Sequence, residues 1–215
     1  MKLNKYIDHT LLKATATIDD IRQLCQEAKA HDFYAVCVNG CYVELAKTEL
    51  ENSAVKVAAV IGFPLGANST HSKIEEAKAC VEDGADEIDM VINVGLLKSG
   101  RYKLVEQEIE SIKKAIGNIV LKVIIETCYL SEEEKKLACR AAMTASADFV
   151  KTSTGFGTGG ATLEDVQLMK EVVGDKLQIK ASGGVKDAET AKKYIDLGVS
   201  RIGTSSGITI VNQPN

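Results

Sequence analysis

Short runs rich in β-branched residues recur along the chain at intervals of roughly 23 to 35 residues, and a helical pattern of apolar residues separates each pair. That alternation is the rhythm of βαβ units. It restricts the chain to a parallel sheet with helices packed against it. The runs lie at residues 6–10, 34–38, 56–61, 87–92, 120–125, 148–152, 178–181 and 201–204. Eight strands are the number that closes a barrel, so the expected fold is of the α/β class: a (β/α)8 TIM barrel in a single domain spanning residues 1–215. The first run has two readings. IDHTLL fits a strand, and it fits equally a turn joining a short N-terminal helix to the barrel.

The intervening segments carry helix signatures. Residues 17–31 open on Thr-Ile-Asp-Asp, a capped and acidic first turn, and place Ile18, Ile21, Leu24, Cys25 and Ala28 along one stripe. Residues 71–83, 102–116, 131–145, 162–173 and 187–197 repeat the arrangement, with Ser131, Thr162 and Asp187 as expected N-caps. No Pro/Ser-rich linker or charge block breaks the series.

Composition narrows the function classes. A net charge of -4 with mixed signs along the chain offers no basic stripe for nucleic acid and no polybasic patch for a membrane surface. No apolar run reaches the length of a membrane span, and the opening MKLNKYIDHT has no signal-peptide core, so the expectation is a cytoplasmic protein acting on a small soluble partner. Cys25, Cys37, Cys41, Cys80, Cys128 and Cys139 form no CxxC pair and mostly fall within apolar elements, where a reduced thiol serves as a small hydrophobe. Cys37, at the end of AVCV, reads either as a thiol at the pocket mouth or as an inert strand cysteine. His9, His31 and His71 show no metal-ligand rhythm, which disfavours a metal-dependent enzyme.

In such a barrel the active site lies at the C-terminal ends of the strands. DFVKTSTGFGTGG and QIKASGGV place Lys151 and Lys180 at equivalent positions on neighbouring strands. An ammonium group buried beside another loses affinity for its proton and becomes a nucleophile near neutral pH; the alternative is a pair of lysines whose heads snorkel to solvent. EIDMVIN puts Asp89 mid-strand, where it is either a counter-ion or a proton carrier acting through water. VLKVIIET places Lys122 and Glu126 on one face, with Glu126 at a strand exit where a carboxylate is often simply solvated.

Glycine-rich turns follow strands seven and eight, at Ser182-Gly183-Gly184 and Ser205-Ser206-Gly207, with a third donor cluster at Thr152-Ser153-Thr154-Gly155. One such turn carries little information, because strand-to-helix turns need glycine anyway. Consecutive ones suggest a phosphate cradle of backbone N–H groups and hydroxyls. GFPLGAN, at residues 62–68, reads as a rigid turn in the pocket wall.

Together IDHTLL, GFPLGAN, EIDMVIN, KVIIET, FVKTSTGF, KASGGV and RIGTSSG, in this order over residues 6–207, resemble the deoxyribose-phosphate aldolases. The resemblance implies a class I aldolase on a (β/α)8 barrel that reversibly cleaves a phosphosugar, 2-deoxy-D-ribose 5-phosphate, to D-glyceraldehyde 3-phosphate and acetaldehyde, without metal or organic cofactor. By motif it implies Lys151 as the Schiff-base lysine, Lys180 as the lysine that perturbs it, Asp89 as the proton-transfer group and Lys122 as a further barrel lysine contacting Asp89 and substrate hydroxyls. Gly155, Gly183, Gly184, Ser205 and Ser206 correspond to the phosphate loops, Lys186 to a basic position near them, and Asp8 and Thr10 to residues approaching the substrate. A homodimer or homotetramer is implied as well.

The chain departs from the pattern at three places. Phe156 stands where some members carry a lysine after TSTG, so neutralisation of the phosphate falls to backbone dipoles and Lys186. GITIVNQPN contains no counterpart to the C-terminal tyrosine that relays a proton in some members, and Val38-Asn39-Gly40 replaces the common VNP. Two other readings share the lysine motifs: a transaldolase-like enzyme taking ketose donors, and a non-catalytic phosphosugar-binding barrel.

Overall fold

A computed structural model describes residues 2–213. Eight parallel strands close a barrel in sequence order: β1 (Ile7–Leu11), β2 (Ala35–Asn39), β3 (Lys56–Ile61), β4 (Glu87–Val91), β5 (Val120–Ile124), β6 (Phe149–Lys151), β7 (Gln178–Ser182) and β8 (Arg201–Thr204). β3 and β8 have the expected bounds, and the others differ by a single residue at one or both ends. Of the two readings of IDHTLL, the strand is the one realised. A 3-10 turn at Leu3–Tyr6 leads into β1, which closes the barrel by pairing Ile7 with Ile202 and Asp8 with Gly203 of β8.

The outer helices are α1 (Ile18–Ala30), α2 (Val43–Glu49), α3 (Thr70–Glu82), α4 (Val94–Lys98), α5 (Tyr102–Ile116), α6 (Glu132–Thr144), α7 (Leu163–Val173), α8 (Ala188–Asp196) and α9 (Gly207–Asn212). Four of them, α1, α6, α7 and α8, start at the caps expected from the sequence. Thr17 and Ser131 form capping boxes with Asp20 and Glu134, while Thr162 and Asp187 accept the backbone N–H of Asp165 and Thr190. α2, α4 and α9 were not anticipated. They are short, at five to seven residues, and one or two turns give too few apolar repeats to reveal a period.

Alternation along each strand divides the barrel into two environments. Val36, Val57, Ile88, Met90, Leu121, Val123, Val150, Ile179 and Ile202 face outward and join Ile21, Leu24, Ile109, Ile112 and Met169 of the helices in one buried apolar cluster. Each such side chain, fully buried, contributes about 1.5–3 kcal/mol. The alternate positions point into the barrel. Cys37, Ala58 and Val60 form a small apolar wall there with Leu12, and Asp8, Glu87, Asp89, Lys122, Lys151, Lys180 and Arg201 bring a cluster of buried charges.

Candidate active site

Asp89 of β4 is the hub of the barrel interior. Its Oδ1 accepts from Lys122 Nζ at 2.7 Å, and its Oδ2 accepts from both Lys151 Nζ at 2.7 Å and Lys180 Nζ at 2.8 Å. The strand register sets these groups in two neighbouring pairs, Asp89 with Lys122 on β5 and Lys151 with Lys180 on β7, the second pair two residues further toward the C-terminal ends of the strands. A second tier lies beside them. Lys122 also meets Glu87 Oε2 at 2.5 Å, Lys180 meets Asp8 Oδ2 at 2.5 Å, and Arg201 joins Asp8 and Glu87 at 2.7 and 2.8 Å. All seven side chains are buried.

Their protonation follows from the number of partners. Burial opposes the charge on Asp89, yet Lys122, Lys151 and Lys180 hold its carboxyl well below the usual range. Burial likewise opposes ionisation of Asp8, and Lys180, Arg201 and Lys122 bring it down to about 2. Among the lysines burial pulls every amine down, but Lys180 gains Asp8 and Asp89, Lys122 gains Asp89 and Glu87, and both end up raised. Lys151 has Asp89 alone. Burial lowers its amine first, Asp89 restores part of the shift, and repulsion from Lys180 lowers it again, leaving it depressed. Desolvation therefore outranks Lys180 as the cause, where the sequence had suggested the neighbouring cation.

Lys151 forms the floor of a cavity of about 230 Å³ at the C-terminal ends of the strands. Thr10, Gly155, Gly183, Gly184, Lys186, Ser205 and Ser206 line its walls, together with Lys13 and Phe156. Gly183 and Gly184 have φ of +84° and +82°, and a Cβ on Gly183 would stand 2.9 Å from the Gly160 Cα, so only glycine makes this turn. α9 begins immediately after Ser205 and Ser206. Thr10 donates its hydroxyl to the Asp8 carbonyl.

The structure brings most of the sequence-derived residues to one place, in two groups. Lys151, Thr10, Gly155, Gly183, Gly184, Lys186, Ser205 and Ser206 line the cavity, whereas Lys180, Lys122, Asp89 and Asp8 lie in the charged interior. Asp8 is fully buried and engaged by Lys180 and Arg201, away from the cavity lining. Three residues with a place in the site were missed: Lys13 on the rim, and Glu87 and Arg201 in the interior. Glu87 lies two residues before Asp89 on the same strand, and Arg201 opens β8; an alternation count applied to charges would have found both.

Glu126 is neither solvated nor on the face of Lys122. β5 ends at Ile124, and Glu126 turns into the left-handed region at φ +54°. Its buried carboxylate accepts the N–H of Thr154 at 3.2 Å and the Thr154 hydroxyl, and that hydroxyl accepts the N–H of Phe156 at 3.0 Å. Glu126 thus clamps the turn after β6. The GFPLGAN turn carries a cis Phe63-Pro64 peptide and packs Phe63 edge-on against Phe156 at 5.3 Å. Cys37 is fully buried inside the barrel, and burial raises its thiol pKa. Among the described residues no group of three or more His, Cys, Asp or Glu side chains is arranged to hold a metal ion, and no helix is long and apolar enough to cross a membrane.

A pocket with a lysine of depressed pKa at its floor and glycine turns on its walls invites comparison with known enzymes. The sequence matches the model of the DeoC/LacD family aldolases over residues 2–211. It is 60% identical to a deoxyribose-phosphate aldolase of Finegoldia magna, over 98% of this chain and 99% of that one. The fold superposes on an aldolase named QR15 with a TM-score of 0.94 at 45% identity, covering 97% and 94% of the two chains. It also superposes on a tetrameric deoxyribose phosphate aldolase from Aeropyrum pernix, with a TM-score of 0.91 at 32% identity, covering 97% and 89%. The chain is a lyase that belongs to the DeoC/LacD family of aldolases.

Proposed function

We propose that this enzyme is a class I aldolase that reversibly cleaves 2-deoxy-D-ribose 5-phosphate to D-glyceraldehyde 3-phosphate and acetaldehyde, with Lys151 as the Schiff-base nucleophile. One observation carries the reading: Lys151 is the interior lysine that lines the cavity, and it has a single carboxylate partner where Lys122 and Lys180 have two each. A neutral amine at the pocket floor is what attack on an aldehyde requires.

The amine adds to C1 of the open-chain sugar, and the carbinolamine loses water to give a protonated imine. Cleavage of the C2–C3 bond then sends its electron pair toward C1 as the C3 hydroxyl loses its proton. D-Glyceraldehyde 3-phosphate departs, and an enamine of the two-carbon fragment stays on Lys151. Protonation at C2 and addition of water release acetaldehyde. Asp89, 2.7 Å from Lys151 Nζ, compensates the imine charge and carries protons through water, while Lys122 and Lys180 keep it ionised.

The phosphate is assigned to the opposite wall, where Gly155, Gly183, Gly184, Ser205 and Ser206 supply N–H and hydroxyl donors and Lys186 supplies charge. Phosphorylated substrates are held in the cytoplasm, which is the compartment we assign. The tetramer of the Aeropyrum relative supports a homodimer or homotetramer. Replacing Lys151 with alanine tests the reading: turnover of 2-deoxy-D-ribose 5-phosphate is expected to vanish while circular dichroism and the unfolding midpoint stay near those of the parent. Turnover retained in a folded variant would remove Lys151 from its role.

A further inference from the structure

Glu87 and Arg201 take no part in the steps above, yet the barrel builds them into the same charged interior. We propose that they are positioning residues for Lys151, setting how many charges the interior holds so that Lys151 is the cation the cluster sheds. The inference rests on the reading of Lys151 as the nucleophile, and it concerns groups that lie outside the cavity lining.

The count of charges is the starting point. Four cationic side chains, Lys122, Lys151, Lys180 and Arg201, face three carboxylates, Asp8, Glu87 and Asp89. One positive charge is in excess when all four are protonated. An unpaired charge in a buried site is strongly disfavoured unless the group neutralises. Arg201 cannot shed its proton, and Asp8 and Glu87 hold it on both sides. Lys122 and Lys180 each touch two carboxylates. Lys151 is the one cation with a single partner, so losing its proton balances the interior at the lowest cost.

The other faces of the barrel do not alter this count. β2 contributes the Cys37 thiol, which burial keeps neutral, and β3 contributes Ala58 and Val60. Tyr34 stacks on the Arg201 guanidinium, with 3.2 Å from Cζ to the ring centroid, and Phe149 borders it at 5.7 Å. These rings hold Arg201 in place without adding a full charge. Glu87 bridges Arg201 and Lys122, and Asp8 bridges Arg201 and Lys180, so the count at Arg201 reaches Asp89 through two separate lysines.

The test is the titration of Lys151 itself, read by NMR in protein carrying ¹³C-labelled lysine, with trapping of an acetaldehyde imine by borohydride as a second readout. Arg201→Met deletes the excess charge, so the Lys151 titration should move up by about one pH unit or more. Glu87→Gln deletes a carboxylate and should move it down. Arg201→Lys keeps the charge and should leave it near the parent value, and the double variant Glu87→Gln/Arg201→Met should return toward it. The double variant also serves if a single variant fails to fold, because it removes the buried pair together. Titrations that stay put in Arg201→Met and Glu87→Gln, or that move the same way in both, would overturn the proposal, as would a titration of the double variant displaced well away from the parent value. If the titrations move as stated while borohydride traps nothing on Lys151, the charge balance stands and the nucleophile assignment fails.

Discussion

Lys151 and Lys180 donate to the same oxygen of Asp89, at 2.7 and 2.8 Å. Their ammonium groups are therefore held near each other by a single acceptor, and the one with no further carboxylate bears the cost. Lys180 has Asp8 as well, at 2.5 Å. The arrangement orders the two amines: Lys180 is held charged and Lys151 holds its proton less firmly, which supports the nucleophilic role proposed for Lys151.

Replacing Lys180 with leucine follows from that order. The variant loses the repulsion that Lys180 exerts on Lys151 and frees Asp89 Oδ2 for Lys151 alone, and both changes favour the protonated amine. The alkaline rise of imine formation should move to higher pH by about one unit or more. An unmoved rise in a folded variant would assign the whole depression to desolvation.

Ser206→Asp probes the far wall of the cavity. A carboxylate among the donors proposed for the phosphate would repel the dianion, so KM for 2-deoxy-D-ribose 5-phosphate should rise far more than KM for unphosphorylated 2-deoxyribose. Equal losses for the two sugars would place the phosphate elsewhere.

Glu126 connects the exit of β5 to the turn after β6, and Glu126→Gln weakens that clamp by leaving a single acceptor oxygen for the Thr154 N–H and hydroxyl. Loss of one buried hydrogen bond should destabilise the fold by roughly 1–3 kcal/mol in urea unfolding. KM for the phosphorylated sugar should rise with it, since Gly155 and Phe156 follow directly on the cavity wall. A variant with unchanged stability and KM would show that the turn holds its shape without Glu126.

The barrel was legible because its strands are marked twice, by β-branched residues and by the capped helices between them. Lys151, Lys180 and Asp89 were legible as charges inside apolar strands. The order of the two lysines was legible only through the family resemblance; its physical cause was not, because it depends on Asp8, and the bond between Asp8 and Arg201 joins residues 193 positions apart across the closure of the barrel. Linear spacing contains no such contact. Glu126 was misplaced for a local reason: continuing the strand by two residues puts its carboxylate on the same face as Lys122, whereas a single left-handed residue turns it toward Thr154.

Acid should dismantle the interior from its carboxylates. Asp8, at about 2, and Asp89, well below its ordinary value, both titrate lower in the folded chain than when unfolded. Their stabilisation is present above the unfolded value of about 3.9 and is lost as pH falls toward the folded one. Urea midpoints should fall between about pH 4 and pH 2. In Asp8→Asn the neutral-pH stability should drop by roughly 3–5 kcal/mol, because Arg201 and Lys180 lose a partner, and the acid slope should flatten. An acid slope identical to the parent's would remove Asp8 from this account.

The central claim is that Lys151 forms the imine, and reduction with borohydride in the presence of acetaldehyde tests it directly. Mass spectrometry of the digested protein should find an ethyl group, from the reduced imine, confined to the peptide containing Lys151, and none on Lys122 or Lys180. An adduct on either of those lysines with Lys151 unmodified, or no adduct in enzyme that turns over the sugar phosphate, would contradict it.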